Sequence, residues 1–364
     1  MKFTRAAPGP VRVLNRPATI TSAHAKTGLG RNDAISTRLS MRWKDRTTNR
    51  MVRDVISCEC LERISGSLPQ DRLDACEYEV VSETRLDGMA RLEIRYSVDE
   101  TLEVPATVLL PDRRGFRTAV LALHQTTIPQ ALGRREVVGP GGREDMHYGR
   151  ELAMRGFAVI APDYPLFGDY EIDWRRIYDE FGYESVTAKG IANHVVAMNV
   201  CAAMTEEPQC DFVSIGHSLG GSNSLFVGAQ DPRVVASVSS AGFGSFHTYA
   251  EASKTGDLTG WARADKYMPL IESRFGLSAE RLGFDFDEIL ACHNTGKLFL
   301  NVPVFDDVFP FDRQKEIILR ARERLRDRGI DGSVEAHFPE VGHAFPNEIR
   351  ASAYEFIEKH AMRA

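Results

Sequence analysis

FVSIGHSLGG, residues 212–221, is the most informative segment of this 364-residue chain. Its first four residues read as a short apolar strand, and a helix-compatible run at 222–229 follows the glycines. Between them, the G-x-S-x-G pattern is typical of a sharp strand-to-helix turn that exposes a serine Oγ. Small neighbours are required there because a Cβ would collide with the backbone. Ser218 is therefore the candidate nucleophile, with a glycine-rich turn around an uninvolved serine as the alternative.

Strands and helices alternate on both sides of this segment. Three alternating or β-rich stretches that end in turn residues predict an antiparallel start, at 77–82, 90–98 and 102–110. The continuous apolar run at 119–123 predicts a strand covered on both faces. Further strands are predicted at 157–161, 234–239, 298–302 and 333–338. Helical periodicity marks 144–155, 186–203, 317–325 and 349–357. We therefore predict an α/β fold with a doubly wound, mostly parallel sheet.

The predicted domain organisation has three parts. Residues 1–40 hold one acidic residue and scattered Arg, Gly and Pro, which indicates a basic, flexible extension. Residues 41–75 are predicted to form a helical arm, and 76–364 the α/β domain. Within that domain, the aromatic-rich segment 241–296 is too long for a simple connection. We expect it to form a helical cap insertion.

A base and an acid for Ser218 are predicted from chain order. His343 lies in the loop VGHAFP, residues 341–346, after the last predicted strand, with a surface-loop histidine as the alternative. Parallel sheets gather catalytic groups at the carboxyl ends of their strands. The acid should follow the strand at 298–302, where Asp306 and Asp307 are the candidates and Asp312 is less favoured. Its task is to accept the imidazole Nδ1–H.

The remaining site residues are predicted from their positions on loops. An oxyanion hole needs two backbone N–H donors. Leu219, directly after the nucleophile, supplies one, and Thr126, on the loop after the strand at 119–123, the other, with Gln125 as second choice. Phe167 and Tyr170, together with aromatic residues of the cap, suggest a partly apolar substrate pocket.

Composition excludes several classes of protein. No apolar run approaches the roughly 18 residues of a membrane span. The basic extension lacks the dense Lys/Arg clusters that bind nucleic acid. The six cysteines have no C-x-x-C spacing, so we expect buried free thiols in a reducing compartment rather than a disulfide framework. We expect a cytoplasmic location, with organelle targeting by residues 1–40 and homo-oligomer formation left open.

From about Trp43 onward the chain resembles the dienelactone hydrolase-like and prolyl-oligopeptidase-like branch of the α/β-hydrolase superfamily, which includes acetyl xylan esterase-like enzymes. Five segments carry the resemblance: 121–127, 155–170, 216–221, 301–309 and 342–346. It implies Ser218, Asp306 and His343 as the catalytic triad. One departure is that many relatives have His-Gly where this chain has His124-Gln125.

The expected function is hydrolysis of a carboxylic ester through an acyl-enzyme, acting on a small acyl substrate without a metal or organic cofactor. The same triad also serves amidases and peptidases, thioesterases, C–C hydrolases and acyltransferases. A non-catalytic binding protein of the same fold is the alternative from another class. Such a protein usually lacks one triad member, whereas here every candidate is present.

Overall fold

The protein is described by a computed structural model that covers residues 39–41, 58–139, 141–207 and 209–364. Residues 1–38 of the predicted extension and residues 42–57 of the predicted arm therefore lie outside the described residues.

A single sheet runs through the described part of the chain. Its strands are β1 (Leu39–Met41), β2 (Tyr78–Leu86), β3 (Met89–Asp99), β4 (Leu102–Pro111), β5 (Ala119–Leu123), β6 (Val159–Pro162), β7 (Phe212–His217), β8 (Val234–Ser240), β9 (Leu298–Asn301) and β10 (Val334–His337). They lie side by side in the order β1-β2-β3-β4-β6-β5-β7-β8-β9-β10.

Strand direction divides the sheet into two parts. Strands β1 to β4 pair antiparallel, and β4 also runs antiparallel to β6. The remaining pairs, from β6 through β5 and β7 to β10, are parallel. This arrangement confirms the predicted fold class, a mostly parallel sheet with an antiparallel start.

Helices cover the sheet and fill the longer connections. They are α1 (Glu59–Ser65), α2 (Arg135–Val138), α3 (Tyr148–Met154), α4 (Trp174–Asp179), α5 (Val186–Met204), α6 (Leu219–Gln230), α7 (Phe246–Ala252), α8 (Leu270–Phe275), α9 (Ala279–Leu282), α10 (Phe286–Ala291), α11 (Gln314–Asp327) and α12 (Asn347–His360). Four of them, α7 to α10, lie between β8 and β9, in the segment expected to form the cap.

The two faces of the sheet build two separate cores because successive strand residues point to opposite sides. On β5, Leu121 packs in the cluster that contains Val196 of α5 and Phe226 of α6. Its neighbour Val120 belongs to the other cluster, with Leu152 of α3. All five residues of β5 are buried, as expected for a central strand covered on both faces.

The cysteines differ from the expectation of free thiols throughout. Cys58 and Cys292 form a disulfide across 234 residues, which joins the start of α1 to the end of α10. That prediction is wrong for this pair, since two cysteines so far apart in sequence carry no spacing signal. Cys60, Cys76, Cys201 and Cys210 are free. Burial raises the pKa of the Cys60 thiol to about 12.

Candidate active site

Ser218 lies at the tip of a strained turn between β7 and α6. Its backbone φ is 52°, in the left-handed region that few residues other than glycine adopt. The flanking glycines make the turn feasible, because a Cβ on Gly216 would collide with the backbone of Gly220. A Cβ on Gly220 would in turn collide with the carbonyl of Leu123 at the end of β5. The glycines of the motif therefore hold the elbow against the central strands.

Hydrogen bonds fix the turn at Ser218 from both sides. Ser218 N donates to Ser240 O, at the end of β8, over 2.8 Å. Ser222 N donates to Ser218 O over 3.0 Å, and Ser222 Oγ donates to Gly242 O over 2.5 Å. The Ser218 side chain is half-buried. These bonds hold an energetically costly conformation in place.

Asp306 and His343 meet at the carboxyl end of the sheet. The Nδ1 atom of His343 lies 2.9 Å from Asp306 Oδ2 and 3.0 Å from Asp306 Oδ1. Asp306 Oδ1 also accepts from the backbone N–H groups of Val308 and Phe309, over 2.8 and 2.9 Å. These bonds orient a carboxylate whose side chain is 1% exposed. A carboxylate held in this way fixes the tautomer of the imidazole, with the proton on Nδ1.

The two other candidate acids face solvent. Asp307 and Asp312 are both exposed, and no hydrogen bond joins either side chain to His343 within the described residues. Asp306 is thus the one of the three carboxylates that the structure places against the imidazole.

His217 connects the histidine loop to the nucleophile turn. Its ring centroid lies 4.8 Å from that of His343, and it directly precedes Ser218 in the chain. Its Nδ1 lies 3.0 Å from Ser240 Oγ, and Asn301 Nδ2 donates to the same oxygen over 2.8 Å. Burial, with a smaller effect of neighbouring His343, lowers the pKa of His217 to about 3. His217 is therefore a neutral packing partner of the imidazole rather than a second base.

None of the hydrogen bonds between described residues joins Ser218 Oγ to His343 Nε2. The structure brings His343 against His217, the residue before Ser218, without closing that bond. Catalytic hydrogen bonds are often long in proteins without substrate and tighten in the reacting complex.

The predicted oxyanion donors flank the elbow. Leu219 is the first residue of α6, where helix N–H groups lack a partner within the helix. Thr126 and Gln125 are half-buried on the loop after β5, and Gln125 Nε2 donates to Glu136 Oε1 over 2.9 Å. His124 fixes that loop, because its Nε2 accepts from Tyr164 N over 3.0 Å.

Lys266, a residue that the sequence did not single out, lies against the same loop. Its Nζ donates to Thr126 Oγ1 over 2.7 Å and lies 5.7 Å from the centre of the Phe167 ring. Burial, together with the charge of Arg263, lowers the pKa of Lys266 to about 8. Lys266 lies in the segment 241–296. The sequence of the loop after β5 therefore could not predict that Lys266 contacts it.

The predicted pocket residues Phe167 and Tyr170 are core residues. They are 4% and 2% exposed, and both belong to the cluster between the sheet, α5 and the cap. The Phe167 ring is tilted by 58° against the His124 ring, with ring centroids 5.5 Å apart. The structure therefore gives no support for direct substrate contact by either ring.

Comparisons with solved structures find the same fold. A methylesterase superposes with a TM-score of 0.56 at 15% identity; the match covers 80% of this chain and 61% of that one. The chain thus spans less than two thirds of that methylesterase. An acetyl xylan esterase from Paenibacillus sp. R4 gives 0.55 at 15%, over 80% and 92% of the two chains. A glucuronoyl esterase from Caldicellulosiruptor kristjansonii gives 0.56 at 15%, over 82% and 81%.

No protein-family model matches the chain, and no curated protein sequence matches it. Within the described residues, no helix is long and apolar enough to cross a membrane. The sheet order, the serine elbow between β7 and α6 and the structural neighbours agree with one another, and the chain therefore has the α/β-hydrolase fold.

Proposed function

We propose that this protein is a serine hydrolase that cleaves carboxylic esters through an acyl-enzyme, with Ser218 as nucleophile, His343 as base and Asp306 as the acid that orients the base. One observation carries the proposal. The imidazole whose Nδ1 is held by Asp306 lies against His217, the residue before a serine in the strained elbow conformation.

The proposed reaction follows from this arrangement. Ser218 Oγ attacks the ester carbonyl while His343 Nε2 takes the hydroxyl proton. The imidazolium then gives that proton to the departing alcohol, which leaves an ester between Ser218 and the acyl group. A water molecule, deprotonated by His343, releases the acid and restores the serine. Throughout, the Asp306 carboxylate stabilises the imidazolium charge.

The oxyanion formed at each addition needs donors aimed at its oxygen. We propose the N–H groups of Leu219 and Thr126, with Gln125 as the second choice for the latter. Leu219 has the favourable field of a helix N-terminus. The Lys266 ammonium, bound to Thr126 Oγ1, adds a positive charge to the loop that carries the other donor. Both features favour a developing negative charge.

The choice of an ester over an amide, a thioester or a C–C bond is supported by the structural neighbours, which are a methylesterase, an acetyl xylan esterase and a glucuronoyl esterase. A serine triad can act on any of these bonds, so the triad does not identify the leaving group. Each of the three neighbours is 15% identical to this chain. Ester hydrolysis is therefore the proposal to test against the other three.

The test compares wild type with Ser218→Ala, using Ser273→Ala, an exposed serine on α8, as the matched control. We expect a fluorophosphonate probe to label wild type and Ser273→Ala but not Ser218→Ala. Turnover of an aryl acetate should fall by on the order of 10⁶-fold in Ser218→Ala, the usual result of removing a nucleophile. Labelling that persists in this variant refutes the proposed nucleophile, and faster turnover of thioester or peptide amide than of ester refutes the proposed substrate class.

A further inference from the structure

Three cysteine sulfurs meet where α1 approaches α10. Cys58 and Cys292 are joined as a disulfide, and Cys60 Sγ lies 3.5 Å from Cys58 Sγ. All three sulfurs lie within 4.8 Å of one another. The cross-link needs two of them. The third is held beside it, on the first turn of α1.

The cluster opens to a surface pocket of about 450 Å³. Cys60 and Cys292 line this pocket, and so do the carboxylate side chains of Glu59 and Glu288. Arg324, also in the wall, pairs with Glu288 over 3.0 Å. Cys60 and Cys292 thus border the pocket together with carboxylate side chains, whereas Cys58 is fully buried.

We propose that the reduced form of this cluster binds one thiophilic divalent cation, Zn²⁺ in the cell, and that Cys58, Cys60 and Cys292 are its ligands. A carboxylate oxygen of Glu288 or a water molecule in the pocket completes four-coordination. The proposal is independent of the esterase function, because none of these residues belongs to the Ser218 site.

The geometry fits a zinc–thiolate site. Zn–S bonds of about 2.3 Å in a tetrahedron place neighbouring sulfurs roughly 3.8 Å apart. The present separation of Cys60 and Cys58 is 3.5 Å, and no pair exceeds 4.8 Å. The bonded pair must separate once the disulfide is reduced. Rotation about the Cα–Cβ bonds of Cys58 and Cys292 suffices, since their Cα atoms are 5.6 Å apart.

The chemistry balances in two steps. A dithiol reductant gives two electrons and two protons to the Cys58–Cys292 bond, so that two thiols form and the reductant becomes a cyclic disulfide. Zn²⁺ then replaces the protons of three thiols, and three protons are released. Three thiolates around Zn²⁺ carry a net charge of −1. The guanidinium of Arg324 and that of Arg328, which donates to Ala291 O, lie in the pocket wall and offset it.

Such a site would join α1 to α10 in both redox states. In the oxidised chain the disulfide makes the connection, and in the reduced chain the cation replaces it. The third sulfur then has a function that the disulfide alone does not give it.

The test uses the full-length chain, reduced with a dithiol, desalted without oxygen and titrated with Co²⁺ as a spectroscopic probe. We expect thiolate-to-cobalt charge-transfer absorption that saturates at one Co²⁺ per chain and disappears when Zn²⁺ is added. Cys60→Ser should lower the absorption by about a third and weaken Co²⁺ binding at least tenfold. Cys76→Ser, which removes a free cysteine outside the cluster, should behave like wild type.

A wild-type measurement makes the test independent of how well the variants fold. X-ray absorption of the reduced, Zn²⁺-loaded protein should give three sulfur neighbours at about 2.3 Å. Two or fewer sulfur neighbours would overturn the proposal. A reduced wild type without cobalt–thiolate absorption, or an unchanged spectrum in Cys60→Ser, would overturn it as well.

Discussion

Replacing Asp306 by asparagine, beside the same change at Asp307, tests the proposed triad most directly. In the wild type, Val308 N and Phe309 N donate to Asp306 Oδ1. In Asp306→Asn the amide oxygen can take the place of Oδ1 and accept both bonds. Its NH₂ group then faces His343 Nδ1, so the imidazole must present a lone pair there and carry its proton on Nε2. An imidazole in that tautomer cannot take the proton of Ser218.

The expected loss is large because it affects the transition state. Loss of the equivalent carboxylate in a serine triad lowers turnover by roughly 10³–10⁴-fold. At about 1.36 kcal/mol per tenfold change, this equals about 4–5.5 kcal/mol of lost stabilisation. Asp307 is exposed and does not contact the imidazole. Asp307→Asn should therefore cost less than about tenfold, or about 1.4 kcal/mol.

The assay is steady-state hydrolysis of an aryl acetate by the two variants and wild type, with far-ultraviolet circular dichroism to verify folding. Single-turnover acylation should separate the chemical step from product release. If Asp306→Asn keeps more than a tenth of wild-type turnover, or if Asp307→Asn is the crippled variant, the proposed triad is refuted.

Three further predictions follow from contacts outside the triad. Asn301 Nδ2 donates to Ser240 Oγ and, over 2.9 Å, to Ala344 O beside His343. Asn301→Ala should therefore lower kcat roughly tenfold at constant KM, and an unchanged kcat would contradict a positioning role. Lys266 is charged below its pKa of about 8, so the activity of the wild type should decline above that pH. A Lys266→Met variant whose activity shows the same decline at alkaline pH would contradict this. Burial lowers the pKa values of His194, His217 and His293 to about 3, so the unfolded chain binds more protons below pH 6.5 and stability falls from there toward pH 3. Urea titrations should show a slope on the order of 1.4 kcal/mol per pH unit for each histidine, and equal unfolding free energies at pH 7.5 and 5 would contradict it.

Much of the sheet could be predicted because its strands are short and rich in apolar residues, and β5 is a continuous apolar run. The bounds of β5 agree with the predicted 119–123, and helix α5 ends within one residue of the predicted 203. The helix predicted at 144–155 is interrupted at His147, between a 3₁₀ turn and α3. The apolar periodicity of this segment does not predict the interruption, because the 3₁₀ turn depends on local hydrogen bonds.

The parts of the site that sequence could not reveal are those made by distant segments. Chain order predicts that an acid and His343 meet, because both loops leave the carboxyl ends of neighbouring parallel strands, and the family resemblance favours Asp306 among the candidate acids. Lys266 reaches the first loop from the cap, 140 residues further along the chain. Outside the site, the Cys58–Cys292 disulfide likewise spans 234 residues. Such contacts depend on how helices pack, which local residue patterns do not encode.

The order of the strands on one side of β7 has a consequence for biosynthesis. Strands β8, β9 and β10 are added outward from β7 in the order of the chain. Because translation follows that same order, the proposed nucleophile emerges from the ribosome first, the acid second and the base last. Asp306 and His343 are 37 residues apart. At about 5–20 residues per second, translation needs roughly 2–7 s to cover that interval. During those seconds the nascent chain carries a serine elbow without a base, and a serine without a base is a poor nucleophile. With the proposed triad, the nascent chain is thus expected to have no hydrolytic activity until His343 has been translated.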